Sequence, residues 1–225
     1  NLVFVIALVL PIVALVGTNN LSTAIIILGI AVIVVFVSDK RYMQFVWIAA
    51  AGAGMMALFL GMESYRLERI AIWKNPEAYE KGYQTIQGLY AIGSGGLFGR
   101  GFGESIQKLG FVPEAQNDMI FSIICEELGF VGATILMLVF LVLIWRFMVI
   151  AVHAPDLFGS LIAAGAMGHI AIQVILNVAV VTNTIPNTGI TLPFISYGGT
   201  SVLFLLSEMG LVLAVSRWQS EKKCI

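Results

Sequence analysis

The chain has 225 residues, of which 59% are hydrophobic and only 11% charged, and its mean hydropathy is +0.96. Soluble domains carry roughly 25% charged residues, so this composition excludes an ordinary soluble fold and points to a membrane protein. The formal net charge of −1 gives no sign of a nucleic-acid partner. Two cysteines far apart, Cys125 and Cys224, exclude a disulfide framework and a CxxC metal or redox motif.

Asn1 leads straight into LVFVIALVL with no basic n-region and no small-residue cleavage site, so the start reads as a fragment or processed product, not as a signal peptide. A bilayer core of about 30 Å takes around 20 apolar residues as helix. Six segments meet or approach that: roughly 1 to 17, 21 to 37, 43 to 61, 128 to 145, 157 to 182 and 193 to 215. Pro11 is a point of bending in the first. The fold class expected is all-α, a polytopic membrane helix bundle forming one membrane domain over residues 1–225. Residues 62 to 117 make a long polar loop holding much of the charge.

Lysine and arginine set the orientation. Lys40, Arg41, Arg146, Arg217, Lys222 and Lys223 fall on one face, the expected cytoplasmic side, while the turns at 18 to 22 and 183 to 189 carry neither residue type. Arg66, Arg69, Lys74, Lys81, Arg100 and Lys108 lie in the long loop, and long loops cross largely regardless of charge. That loop is therefore expected outside. It is not a bare linker, because GYQTIQGLYAI (82 to 92) puts Tyr83, Ile86, Leu89 and Tyr90 at helical spacing, which suits a short interfacial helix with its apolar face on the bilayer. GSGGLFGRGFGES (93 to 105) then holds six glycines in thirteen residues. It fits neither GxGxxG nor GxxxxGK and follows no strand, so tight turning or close backbone passage is the reading, not nucleotide binding.

At the entrance of the fourth span, FVPEAQNDMIFSIICEELGF (111 to 130) gathers Glu114, Asp118, Glu126 and Glu127. A helix from Pro113 to Phe147 would be about 50 Å long, so its outer part stands clear of lipid. Glu114 and Asp118 are spaced i, i+4 and share a face if that turn is helical. They read either as solvated first-turn acids behind Pro113 or as functional carboxylates in an outward cavity. Gln173 and Asn177, with His169 one turn inward, form a polar stripe on the fifth span: interhelical glue or a cavity wall. His169 lacks an acidic partner at a useful spacing and reads as structural. Glu208 is a lone intramembrane acid in the sixth span, toward its cytoplasmic half.

LYAIGSGGLFGRGFGESIQKLGFVPEAQNDMIFSIICEELGFVG (89 to 132) and NTIPNTGITLPFISYGGTS (183 to 201) resemble the signature regions of the SEDS family, the FtsW/RodA/SpoVE proteins of bacterial division, elongation and sporulation, and the FtsW/SpoVE branch more than RodA. The resemblance implies a ten-helix membrane protein with both termini cytoplasmic, of which this chain supplies the last six helices. It implies a peptidoglycan glycosyltransferase in the bacterial cytoplasmic membrane, acting on the extracytoplasmic side. Such an enzyme polymerises lipid II beside a class B penicillin-binding protein and other division proteins. The family's P-E-x-x-x-D motif is here Pro113, Glu114 and Asp118, which makes Asp118 the catalytic base and Glu114 its helper. The implied substrate-binding residues are Lys108, Arg100, Gln173, Asn177, Ser196, Gly198 and Gly199. No cofactor is certain; a divalent cation held by carboxylates is one way to take up pyrophosphate charge. Many members read Q-P-D-L-G-T between the first two spans, whereas this chain reads TNNLST with Asn20 in the acidic position. A lipid II flippase is the alternative, and a scaffold that only docks a transpeptidase a third. A flippase is expected to show internal repeats and a midplane site made by broken helices; no repeat is visible between the spans, and the acids gather at the outer mouth, where a polymerase needs them.

Overall fold

The computed structural model describes residues 2–38, 46–47, 50–52, 54 and 64–223. The third expected span, 43 to 61, lies almost wholly outside them, as do the side chains of Lys40, Arg41, Lys222 and Lys223 and residue Cys224. Among the described residues the elements are all helical: α1 (Leu2–Asn19), α2 (Leu21–Ser38), α3 (Ser64–Lys74), two 3₁₀ turns (Pro76–Ala78 and Glu80–Gly82), α4 (Tyr83–Gly95), α5 (Ile120–His153), α6 (Leu157–Val181) and α7 (Gly199–Lys223). Helices Leu21–Ser38, Ile120–His153, Leu157–Val181 and, within α7, Gly199–Gln219 are long and apolar enough to cross a membrane. On α5, Ile135, Leu138, Val139, Leu141 and Trp145 are more than half exposed, an apolar surface that only lipid or another hydrophobic partner would cover.

The chain clusters into two compact units. The first comprises Asn1–Met62, Val142–Ile172 and Val202–Ile225. Here α1 runs through Pro11 and meets α2 at a one-residue link. Asn20 is that link, and its side-chain Oδ1 accepts the Thr23 N–H at 3.1 Å. It is thus an N-cap, for which asparagine serves as well as aspartate. Small residues bring α6 against α2: a Cβ on Gly168 would fall 2.5 Å from Ile33 Cδ1. His169 Nδ1 lies 2.9 Å from Glu208 Oε2 on α7, so the histidine has an acidic partner after all and Glu208 is not alone. The pair joins two helices 39 residues apart, a separation that spacing along one helix cannot reveal.

The second unit comprises Glu63–Leu141 and Gln173–Ser201. Its long loop is largely folded, with α3, the two 3₁₀ turns and α4 packed together. The helix expected at 82 to 92 is α4; it turns a stripe of small residues, Gly88, Ala91 and Gly95, into the protein and leaves Tyr83 and Tyr90 exposed. Those small residues let α4 lie against α5, since a Cβ on Gly95 would be 1.9 Å from the Cys125 carbonyl oxygen. Two boundaries depart from the sequence reading. Helix α5 begins at Ile120, with residues 112–119 in turns, so Pro113 opens no helix. Helix α7 begins at Gly199, not near 193, because residues 190–198 are spent on turns that bond to the Asp118 segment.

The glycine run explains itself at a break in α5. Gly129 has φ 67° and ψ −170°, a region open to glycine alone. In a continuous helix the N–H groups of Phe130 and Val131 would bond the carbonyls of Glu126 and Glu127. Instead Arg100 N–H donates to Glu126 O at 2.9 Å and Gly101 N–H to Glu127 O at 3.0 Å. Phe130 N–H and Val131 N–H donate to Gly96 O and Leu97 O, at 2.9 and 3.1 Å. The loop is spliced into the helix, and these four backbone groups freed by the break are re-partnered, as an apolar surrounding demands. No side chain fits the splice: a Cβ on Gly99, itself at φ 78°, would sit 2.1 Å from Glu127 O.

Candidate functional site

Asp118 closes the turn that precedes α5 and is only 7% exposed. Gln84 Nε2 on α4 donates to its Oδ1 at 3.4 Å, Asn187 Nδ2 donates to Gln84 Oε1 at 3.3 Å, and Arg69 Nη1 on α3 donates to Asn187 O at 3.1 Å. These groups border a cavity of about 260 Å³ whose lining also includes Trp73, Lys81 and Asn183. Trp73 Nε1 donates to Asn183 O at 2.9 Å and ties α3 to the turn after α6. A buried carboxylate therefore shares one small polar cavity with a guanidinium and an ammonium group. Burial pushes the Asp118 carboxyl above the ordinary aspartate range; the charge of Glu114 adds to this, while backbone N–H donors and the Gln84 amide pull the other way.

Glu114 and Asp118 do not share a helical face. Glu114 is exposed with φ 54°, and its carboxylate takes the Asn117 side-chain amide. Its carbonyl caps the turn, accepting the N–H of Asn117 at 2.9 Å and of Met119 at 3.5 Å. The i, i+4 reading failed because the turn reverses at Glu114, which orients it outward and Asp118 inward.

The turn is anchored from beneath. Asn177 is fully buried and spends both amide hydrogens on carbonyls, that of Asp118 at 2.8 Å and that of Ile190 at 2.7 Å. Ser196 Oγ donates to Asn117 O at 2.6 Å and accepts Leu192 N–H at 2.7 Å, while Tyr197 N–H donates to Gln116 O at 2.8 Å. Asn177 and Ser196, expected to touch substrate, thus hold the backbone around the carboxylate. Gln173 Nε2 reaches Thr191 Oγ1 at 3.3 Å and tightens the same turn. Gly198 and Gly199 lie at the entry to α7 and do not line the cavity.

Lys108 and Arg100 are elsewhere too. Lys108 Nζ pairs with Glu127 Oε1 at 2.7 Å and donates to Gly103 O at 2.5 Å; Arg100 Nε lies 3.7 Å from Glu126 Oε1. They serve the splice, not the cavity. The cations that line the cavity, Arg69 and Lys81, come from the same long loop as Lys108 and Arg100, but from its earlier part. Their signal was weak: Arg69 and Trp73 are i, i+4 on one helix, but their partner segment, 183–189, follows more than 100 residues later. Among the described residues no three of His, Cys, Asp and Glu gather closely enough to hold a metal ion.

Comparison with known proteins agrees in sequence and in shape. The chain is 47% identical over 202 residues to stage V sporulation protein E of Bacillus subtilis, covering 88% of this chain and 55% of that protein. It is 41% identical over 204 residues to a probable peptidoglycan glycosyltransferase FtsW of Trichlorobacter lovleyi, covering 88% and 52%. A solved peptidoglycan synthase complex, described as coordinating polymerization and crosslinking, superposes with a TM-score of 0.76 at 30% identity, over 95% of this chain and 60% of that one. An aspartate-to-alanine variant of the rod shape determining protein RodA of Thermus thermophilus gives 0.64 at 29% identity, over 96% and 56%. The chain spans about half the length of the curated relatives it matches. The model of the cell cycle proteins FtsW, RodA and SpoVE matches residues 1–221, and the chain belongs to that family.

Proposed function

We propose that the protein is a peptidoglycan glycosyltransferase of the bacterial cytoplasmic membrane, polymerising lipid II on the extracytoplasmic side beside a class B penicillin-binding protein. The observation that carries this reading is the buried Asp118 carboxylate facing a polar cavity with Arg69 and Lys81 in its wall. Glycan extension requires the 4-hydroxyl of an acceptor sugar to attack the anomeric carbon of a donor carried on polyprenyl pyrophosphate. Asp118 takes the hydroxyl proton as the bond forms. Its carboxyl, raised by burial, is a better base than an exposed aspartate. The departing pyrophosphate carries the negative charge; Arg69 and Lys81, which also line the cavity, are the cations to meet it, Lys81 by exchanging its Glu68 partner at 3.0 Å for the phosphate. One displacement inverts an α-linked donor to a β-linked product. The cavity beside Asp118 lies at the N-terminal end of α5, not at its middle, which favours polymerisation over flipping.

The test is glycan-strand synthesis from lipid II by the intact protein with its partner transpeptidase, comparing wild type with Asp118→Asn. The reading expects polymer from wild type and a loss of about 10²- to 10⁴-fold in the variant at equal expression and partner binding. Equal polymer from both would remove Asp118 from the mechanism.

A further inference from the structure

Glu126 is 0% exposed and lies outside the lining of the Asp118 cavity. Every group recorded at its carboxylate is a donor. Ser105 Oγ donates to Oε2 at 2.5 Å and Ser94 Oγ to Oε1 at 3.4 Å. The backbone N–H groups of Ile106 and Gln107 reach Oε1 and Oε2, each at 3.3 Å, and Arg100 Nε stands 3.7 Å from Oε1. Ser105 is itself buried and its Oγ accepts Lys108 N–H at 3.2 Å. A carboxylate is tolerated in such a place only when donors match its charge, and here they all come from α4 and from the segment between α4 and α5.

We infer that Glu126 is a positioning residue: it latches segment 100–108 onto α5 and so fixes the turn that presents Asp118 to the cavity. The inference rests on the reading of Asp118 as the base. The connection is short. Gln107, whose N–H is held by Glu126, accepts Val112 N–H at 2.9 Å through its carbonyl. Val112 and Ala115 are buried, and Gln84, which bonds Asp118, also reaches Pro113 O at 3.4 Å. Glu127 adds a second hold through Lys108. The latch demands an acceptor with no hydrogens. Glutamine has glutamate's shape but turns an NH₂ toward donors that cannot reverse, the two backbone N–H groups and Arg100.

The experiment uses the intact protein with Val112→Cys as reporter and a membrane-impermeant maleimide as probe, read against the same protein without that cysteine. In Glu126→Gln, labelling of the otherwise buried cysteine rises about tenfold. The kcat for lipid II polymerisation falls about 10²-fold with KM within about twofold, as expected for a displaced base. The acid limb of the rate profile moves to lower pH as Asp118 becomes wetted. Glu126→Asp, still acceptor-only, recovers part of both effects. Ser105→Ala, a milder change that removes one donor, shifts labelling and kcat in the same direction by less and keeps the test open if the glutamine variant does not fold. Unchanged labelling in these variants overturns the latch. Raised labelling with wild-type kcat overturns it as well, because the segment then moves without consequence for the reaction. A wild type that makes no polymer ends the glycosyltransferase reading, whereas labelling still decides whether Glu126 holds the segment.

Discussion

At the residue scale, Asp118 shows how burial converts a common side chain into a base. Because burial lifts its carboxyl, the acid limb of kcat/KM should lie above the ordinary aspartate value of about 3.9 and disappear in Asp118→Asn. Stability should run the other way. A carboxyl whose folded pKa exceeds its unfolded one binds more protons when folded, so stability is lost as pH rises through that interval. At neutral pH, Asp118→Asn is therefore expected to melt no lower than wild type, with any advantage shrinking as pH falls and Asp118 protonates. A thermal scan in detergent across pH checks this, and a clearly less stable variant at neutral pH would contradict the burial argument. Asn177 makes the opposite case. Asn177→Ala strands two buried carbonyls at about 1–3 kcal/mol each, and Asn177→Asp, which sets an acceptor against two acceptors, should cost more. Thermal unfolding ranks the two.

At the element scale, the splice into α5 is what lets one helix carry both a bilayer-facing apolar surface and a site-forming end. Gly129→Ala should lower stability by about 1–3 kcal/mol for the forbidden backbone alone, and Gly99→Ala by at least as much because its Cβ meets a carbonyl oxygen at 2.1 Å. Alanine at Gly103, whose Cβ meets nothing within 4 Å, isolates the left-handed strain without the clash. Comparable melting of Gly99→Ala and Gly103→Ala would show that close approach adds nothing. The composition announced six glycines and a turn, yet nothing in GSGGLFGRGFGES names its partner, because the bonds run to the backbone of a helix about 30 residues later, and backbone groups leave no mark in sequence.

At the scale of the whole molecule, the lysine and arginine pattern predicts that Glu104 faces outward and Arg217 inward. Cysteines placed there should label from opposite sides of sealed cells, and same-side labelling would refute the assigned orientation. The sequence alone determined the membrane class, the long helices and the motif that contains Asp118. Hydropathy over some 20 residues and a contiguous signature are local properties that need no folded partner. It also suggested Glu114 and Asp118 as a pair, which the reversal at Glu114 undid, since a helical period assumes a helix. Only the tertiary structure decided which charges share a cavity with the carboxylate. Lys108 and Arg100, near Asp118 in sequence, pair with Glu127 and Glu126 away from its cavity, whereas Arg69 and Lys81, about 50 and 40 residues away, line it, Lys81 while paired with Glu68. Charge pairing depends on distance through space, and the folds at Gly96–Gly101 and 183–198 set those distances.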